Sequence, residues 1–212
     1  MQNLLCHKTI ALDLDGTLVT CRQRQMSCLF YLLNRFYLAQ DVDLNLVWQL
    51  KSTGRSTKQA LLFLGFEKFW ASKIAIEWGK IIETPYWLQL DGVHDFVFDF
   101  LQSLQDRKII LLTARKNSHW LHHELRRLRI SRYFDEVCVV SPENAVEGKA
   151  NQLARCKADI FVGDTVSDAM AARKANVEFL GVTWGQHNEG TLVDNGSSRV
   201  NNDPLELKII FG

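Results

Sequence analysis

The ten residues from Thr9 to Leu18, Thr-Ile-Ala-Leu-Asp-Leu-Asp-Gly-Thr-Leu, constrain the fold more than any other part of the chain. Ile10-Ala11-Leu12 is an apolar run with the length of a buried strand. Strand alternation sends Asp13 and Asp15 to the same side, and Gly16 just beyond them signals that the strand is ending. Open α/β sheets place their ligands at the carboxyl ends of parallel strands. Two carboxylates this close repel one another, and a divalent cation removes the problem by sharing their charge.

After Leu18 the pattern turns helical for some seventy residues. Met26, Leu29, Phe30, Leu33, Phe36 and Tyr37 recur at three- and four-residue intervals, as do Trp70, Ile74, Trp78 and Ile81. Between them, Ser52-Thr53-Gly54-Arg55-Ser56-Thr57 is a polar break before a shorter helix through Ala60–Leu64, and Pro85 closes the region. From Asp91-Gly92 the chain alternates. Strands are predicted at 108–112, 137–140, 159–162 and, last in the core, 179–183. Helices are predicted on the Val93–Leu104 and Leu121–Leu128 stripes, from about Lys149 to Cys156, around Ala169–Ala172 and after Asp203-Pro204. Strands alternating with helices imply a parallel sheet covered on both faces.

Asp13-Leu14-Asp15-Gly16-Thr17-Leu18 resembles the first motif of the haloacid dehalogenase superfamily of phosphohydrolases. Three further matches follow in family order. Leu111-Leu112-Thr113 is similar to the second motif, Lys149 to the third, and Gly163-Asp164-Thr165-Val166-Ser167-Asp168, after Ile160-Phe161-Val162, to the fourth. The resemblance implies a three-layer α/β/α Rossmann-like core over residues 1–20 and 90–212, with an all-helical cap over 21–89 inserted between the first two motifs. It places the chain near the phosphoglycolate-phosphatase-like branch. The implied activity is that of a Mg²⁺-dependent phosphatase acting on a small phosphorylated metabolite. A phosphomutase, or a phosphate-binding module without turnover, is the alternative.

The same resemblance assigns roles. Asp13 is the expected nucleophile, and Asp15 the general acid and base, whose carboxylate sets phosphatases and mutases apart from dehalogenases. Asp13, Asp164, Asp168 and the Asp15 carbonyl are the expected Mg²⁺ ligands. Asp168 has a second reading as the N-cap of a helix beginning near Ala169. Thr113 and Lys149 are expected on the phosphoryl oxygens. Only 15 positions separate Lys149 from Asp164, so Lys157 is a competitor, although its place at a helix end suits a cation there in any case. Gly16, Arg55 and Arg115 are expected at the substrate. Arg55 sits in the polar break, where its planar fork suits a carboxylate or second phosphate, with Lys51 and Lys58 adding field nearby. Arg115 has an equal reading as one half of a surface ion pair.

The chain's formal net charge is +1, which gives no general attraction to nucleic acid or to anionic membrane. The stretch 20–89 holds nine Lys or Arg against five Asp or Glu, and 12 of the 22 aromatic residues, so the insert is positive and the rest negative. The aromatics suit a small bundle core, an apolar lining over the site or a dimer face, leaving monomer and homodimer both open. Five cysteines, at 6, 21, 28, 138 and 156, form no C-x-x-C pair, so neither a disulfide framework nor a zinc knuckle is suggested. No apolar run approaches a membrane span, and a reduced cytoplasmic protein is expected. His119, His122, His123 and Glu124 cluster on one helix without the H-E-x-x-H order of zinc proteases, and a solvated helix face is expected. The loop from Gly181 to Gly190, with Trp184 and His187, either borders the site or is a plain turn.

Overall fold

The computed structural model describes residues 8–40, 42–197 and 199–211, and Cys6 lies outside them. The strands are β1 (Thr9–Leu12), β2 (Val19–Thr20), β3 (Gly92–Val93), β4 (Lys108–Ala114), β5 (Glu136–Val140), β6 (Ile160–Gly163), β7 (Glu178–Val182) and β8 (Val200–Asn201). Six of them form one sheet in the order β5-β4-β1-β6-β7-β8, with every pairing parallel. Sheet order reverses on either side of the central strand β1, and that switch point is where an open sheet leaves a crevice. The sheet continues past the predicted last strand, because β7 pairs with β8. Two-residue strands carry no readable period, so β8 had no signature of its own.

Alternation divides the sheet into two cores. Ile10, Leu12, Ile109 and Leu111 pack with Val97, Phe100 and Leu101 of α6 (Val97–Ser103), Leu121 and Leu125 of α7 (Ser118–Arg127), and Phe211 of α11 (Glu206–Phe211). Ala11, Ile110, Leu112 and Cys138 face the other way, onto Ala150 and Leu153 of α8 (Ala145–Cys156) and the alanines of α9 (Val166–Ala175). The short α10 (Glu189–Asp194) precedes β8. The helices α8 and α9 both start earlier than predicted. For α9 the cause is a reciprocal cap at Thr165, whose side chain accepts from the Asp168 N–H while the Asp168 carboxylate accepts from the Thr165 N–H. Asp168 is therefore the third helical residue, not the N-cap.

Among the described residues, five helices lie between β2 and β3: α1 (Arg22–Arg35), α2 (Leu44–Ser52), α3 (Thr57–Phe63), α4 (Lys68–Ile81) and α5 (Pro85–Leu88). They have their own core, built on Leu29, Leu32, Leu33, Val47, Leu61 and Ile74. Pro85 opens a turn of helix instead of closing the region, sitting at the first helical position where its missing N–H costs nothing. The two chain crossings into and out of this insert pair as an antiparallel ribbon, β2 with β3. The insert touches the sheet domain at several points. The Glu83 carboxylate accepts from the N–H groups of Lys116 and Asn117 at 2.8 and 3.1 Å. The Ser52 carbonyl accepts from the Asn188 N–H and the Thr191 hydroxyl, both at 3.1 Å.

Candidate active site

The carboxyl ends of β1 and β6 lie side by side, and the Asp13 N–H donates to the Val162 carbonyl at 2.9 Å. This brings the residues following both strands to one place. Asp13 is buried, Asp164 and Asp168 are fully so, and their ligand oxygens lie within 4.8 Å of one another. Lys149, from the middle of α8, donates to Asp13 Oδ1 and Asp168 Oδ1, both at 2.6 Å. Lys157 is exposed at the end of the same helix, in the left-handed conformation at φ 52°. Lys149 therefore lies against the acids and Lys157 does not.

The turn after β1 passes tightly over Asp164. Gly16 has φ +87°, and a Cβ there would sit 2.1 Å from Asp164 Oδ2. Gly185, on the far side, would place one 2.2 Å from the same atom. Side chains are thus excluded on both flanks of Asp164, while the Thr17 hydroxyl donates to its Oδ1 at 3.1 Å and the Gln186 N–H to its Oδ2 at 2.6 Å. The Gly16 N–H itself donates to the Val19 carbonyl at 2.8 Å, so this glycine's contribution here is space.

Three buried carboxylates share one ammonium, and the imbalance governs their ionisation. Burial pushes Asp13 up to about 7 against the pull of Lys149. Burial, then Asp13 and Asp168, push Asp164 well above the usual carboxylate range. Burial would depress Lys149, but Asp13 and Asp168 outweigh it and hold the amine protonated. A divalent cation fits this donor set, because hard oxygens with excess negative charge are what such an ion neutralises. The oxygens of Asp168 accept from Lys149, the Thr165 N–H and the Thr165 hydroxyl, so both are already engaged within the protein.

Asp15 is drawn to a different network. Arg115 holds it with two hydrogen bonds, Nε to Oδ2 at 2.6 Å and Nη2 to Oδ1 at 2.8 Å, and Arg24 of α1 also pairs with it. Burial would raise the Asp15 carboxyl, but Arg115 and Arg24 outweigh that and hold it below the usual range. Arg115 is itself buried and reaches Glu124 at 3.2 Å, so it is not one half of a surface ion pair but lies against Asp15 inside the site. Glu124, grouped with the histidines in the sequence, is buried against Arg115, while His119, His122 and His123 are exposed. Thr113 is buried near the end of β4, and its hydroxyl has no protein partner among the described residues.

Arg55 also departs from expectation. Its Nη1 donates to the Thr53 hydroxyl at 2.5 Å and its guanidinium lies over Phe63 at 5.2 Å, both within the insert. Lys51, near the end of α2, is a second cation of the insert. It is buried, donates to the Thr57 hydroxyl at 3.0 Å, lies 5.1 Å over the Trp78 ring, and has no carboxylate within ion-pair reach among the described residues. Burial lowers it to about 8. A cleft of about 200 Å³ opens beside Asp164 between Trp48 of the insert and Trp184, with Gly16, Arg22, His94 and Gly185 in its walls. The loop after β7 thus borders the site, as the Trp184 Nε1–H bond to the Thr17 carbonyl at 3.0 Å also shows.

A sequence model of haloacid dehalogenase-like hydrolases matches residues 7–176. The chain belongs to this family. It also superposes on solved members at low identity. A haloacid dehalogenase-like hydrolase from Streptococcus pneumoniae is 20% identical with a TM-score of 0.80, over 97% of this chain and 99% of that one. A predicted phosphatase from Clostridium acetobutylicum is 22% identical with a TM-score of 0.76, over 96% and 97%. A predicted phosphoglycolate phosphatase from Haemophilus somnus is 18% identical with a TM-score of 0.71, over 96% and 97%. At these identities the likeness is one of fold. A comparison with curated proteins gives no match. Among the described residues no helix is long and apolar enough to cross a membrane.

Proposed function

We propose that this hydrolase is a Mg²⁺-dependent phosphatase for a small phosphorylated metabolite, with residues 21–89 acting as a cap over the site. The observation that carries the reading is the Lys149 ammonium between Asp13 and Asp168, beside the buried Asp164. A carboxylate braced by an amine and flanked by spare negative charge suits attack on an anionic phosphorus centre. An Asp13 oxygen bonds to phosphorus as the bond to the leaving oxygen breaks, which divides the hydrolysis into two easier steps. Lys149 and the unpartnered Thr113 hydroxyl hold phosphoryl oxygens. Asp13, Asp164 and the Asp15 carbonyl, with Asp168 in support, would hold Mg²⁺, which would supply charge neutralisation to the phosphoryl group.

Asp15 takes the proton of the water that releases phosphate from Asp13. The two guanidiniums keep it ionised for that task. Giving a proton to the leaving alcohol first requires one of them to withdraw, and Arg24 is the one carried by the cap. In this reading Lys51, a buried cation of the insert with no ion-pair partner among the described residues, receives a further negative charge brought by the substrate.

A panel of phosphomonoesters, assayed for inorganic phosphate with and without Mg²⁺, tests the reading. Metal-dependent phosphate release is expected. Transfer of the phosphoryl group back to substrate without phosphate release makes the protein a mutase. Absence of turnover on every ester makes it a binding module.

A further inference from the structure

Two turns of α8 beyond Lys149, the edge strand β5 and the last turn of that helix bring together two thiols and a carboxylate. Strand alternation puts Glu136 and Cys138 on the same face, and α8 returns over them so that Cys156 completes the group. The Sγ atoms of Cys138 and Cys156 are 4.0 Å apart. Glu136 Oε1 lies 3.5 Å from Cys138 Sγ, and Oε2 lies 3.6 Å from Cys156 Sγ. Two sulfurs on one tetrahedral zinc, each bonded at ~2.3 Å, are roughly 3.8 Å apart, and a sulfur and an oxygen roughly 3.5 Å. Each sulfur thus has the other sulfur and one carboxylate oxygen near the spacing of neighbouring zinc ligands, and one ligand atom from each of the three residues lies within 4.8 Å of the other two. We propose that Glu136, Cys138 and Cys156 bind one thiophilic divalent cation, Zn²⁺ in the first instance, separately from the catalytic metal.

Both cysteines are buried while Glu136 is partly exposed, so the carboxylate marks the way in. Arg155 now pairs with Glu136 and its Nη2 lies 3.3 Å from Cys138 Sγ. Its side chain is 53% exposed and can swing into solvent, leaving the fourth ligand position to water. Lys108 Nζ, 3.7 Å from Glu136, stays as a countercharge. On binding, each thiol loses its proton to solvent and two sulfur–metal bonds form, with no change of oxidation state. The ion would tie the end of α8 to the sheet edge, two turns along the helix from Lys149.

Cobalt provides the test, because Co²⁺ bonded to thiolate absorbs in the near ultraviolet whereas Co²⁺ among carboxylates does not. Chelator-stripped, reduced full-length protein titrated with Co²⁺ should show that band saturating at one equivalent, and Zn²⁺ should abolish it. Cys138→Ser and Cys156→Ser should each lose the band, while Asp164→Asn should keep it. Glu136→Gln, at a partly exposed position that folding tolerates, should weaken Co²⁺ binding at least ~10-fold. No band in the reduced wild type, a band that survives both cysteine changes, or unaltered affinity in Glu136→Gln overturns the proposal. A pair that mass measurement finds joined as a disulfide, and that gives no band once reduced, overturns it too.

Discussion

Replacing Lys51 by Met should make the free protein more stable and the enzyme worse. Methionine keeps an unbranched chain against Trp78 and removes the charge. Burial lowers the Lys51 ammonium from its ordinary 10.5 to about 8, a difference of some 2.5 units, or roughly 3 kcal/mol against the folded state when the amine is charged. The change also leaves the Thr57 hydroxyl without its partner, which takes back about 1 kcal/mol. A net gain of about 2 kcal/mol at pH 7 is expected in urea unfolding. The pH dependence identifies the cause. A folded pKa below the unfolded one means that the unfolded chain binds more protons between about pH 8 and 10.5, so wild-type stability rises with pH across that window. Lys51→Met should lack that rise, and its advantage should shrink towards pH 10.5. The proposed role of Lys51 at a negative charge of the substrate predicts that the same variant loses at least ~10-fold in kcat/KM on an anionic substrate. A variant that is less stable than wild type, or that shares its pH slope, refutes the reasoning.

Other substitutions separate the remaining roles. Asp164→Asn should lose activity that added Mg²⁺ partly restores, whereas Asp15→Ala should leave a defect indifferent to Mg²⁺ and greatest for poor leaving groups. Gly16→Ala should reduce activity at least ~10²-fold in steady-state assays, since its Cβ would fall 2.1 Å from Asp164 Oδ2 at a φ that side chains disfavour. Metal-free protein should lose stability as pH rises from about 4 to about 7, because Asp13 is raised to about 7 when folded and the folded state then binds more protons. Thermal melts across that window should show the loss, and Mg²⁺ should reverse it. Arg55→Ala should change kcat/KM less than ~3-fold, as its contacts are internal to the insert.

Much of this was legible because the site is built at strand ends. An apolar run followed by a carboxylate or hydroxyl is a local signal, and parallel packing carries Asp13, Thr113 and Asp164 to one edge of the sheet. The parallel core and its covering helices follow from the same alternation. What the sequence hid depends on contacts across long separations. Arg115 and Asp15 are 100 residues apart, and nothing local says that a strand-end arginine will turn onto a carboxylate instead of a ligand. That Lys51 is buried while Arg55 bonds to Thr53 depends on the rotation of the last turn of α2, which the polar break does not reveal. Arg24 and Gln25 lie buried within a stretch, Arg22-Gln23-Arg24-Gln25, that reads as solvated. The start of α9 was readable in principle, since Thr165-Val166-Ser167-Asp168 has the spacing of a reciprocal cap. Cys138 and Cys156 stand 18 apart, and only the return of α8 over β5 makes them neighbours.

The central claim is that Asp13 itself carries the phosphoryl group. Rapid acid quench during turnover of the best ester, followed by peptide mass mapping, measures this directly. The account predicts one phosphoryl mass on the peptide containing Asp13. It also predicts that Asp13→Asn, which keeps the shape but loses the attacking charge, shows no adduct and at least ~10³-fold less activity. Turnover without any acyl phosphate on that peptide, together with near-normal activity of Asp13→Asn, would contradict it.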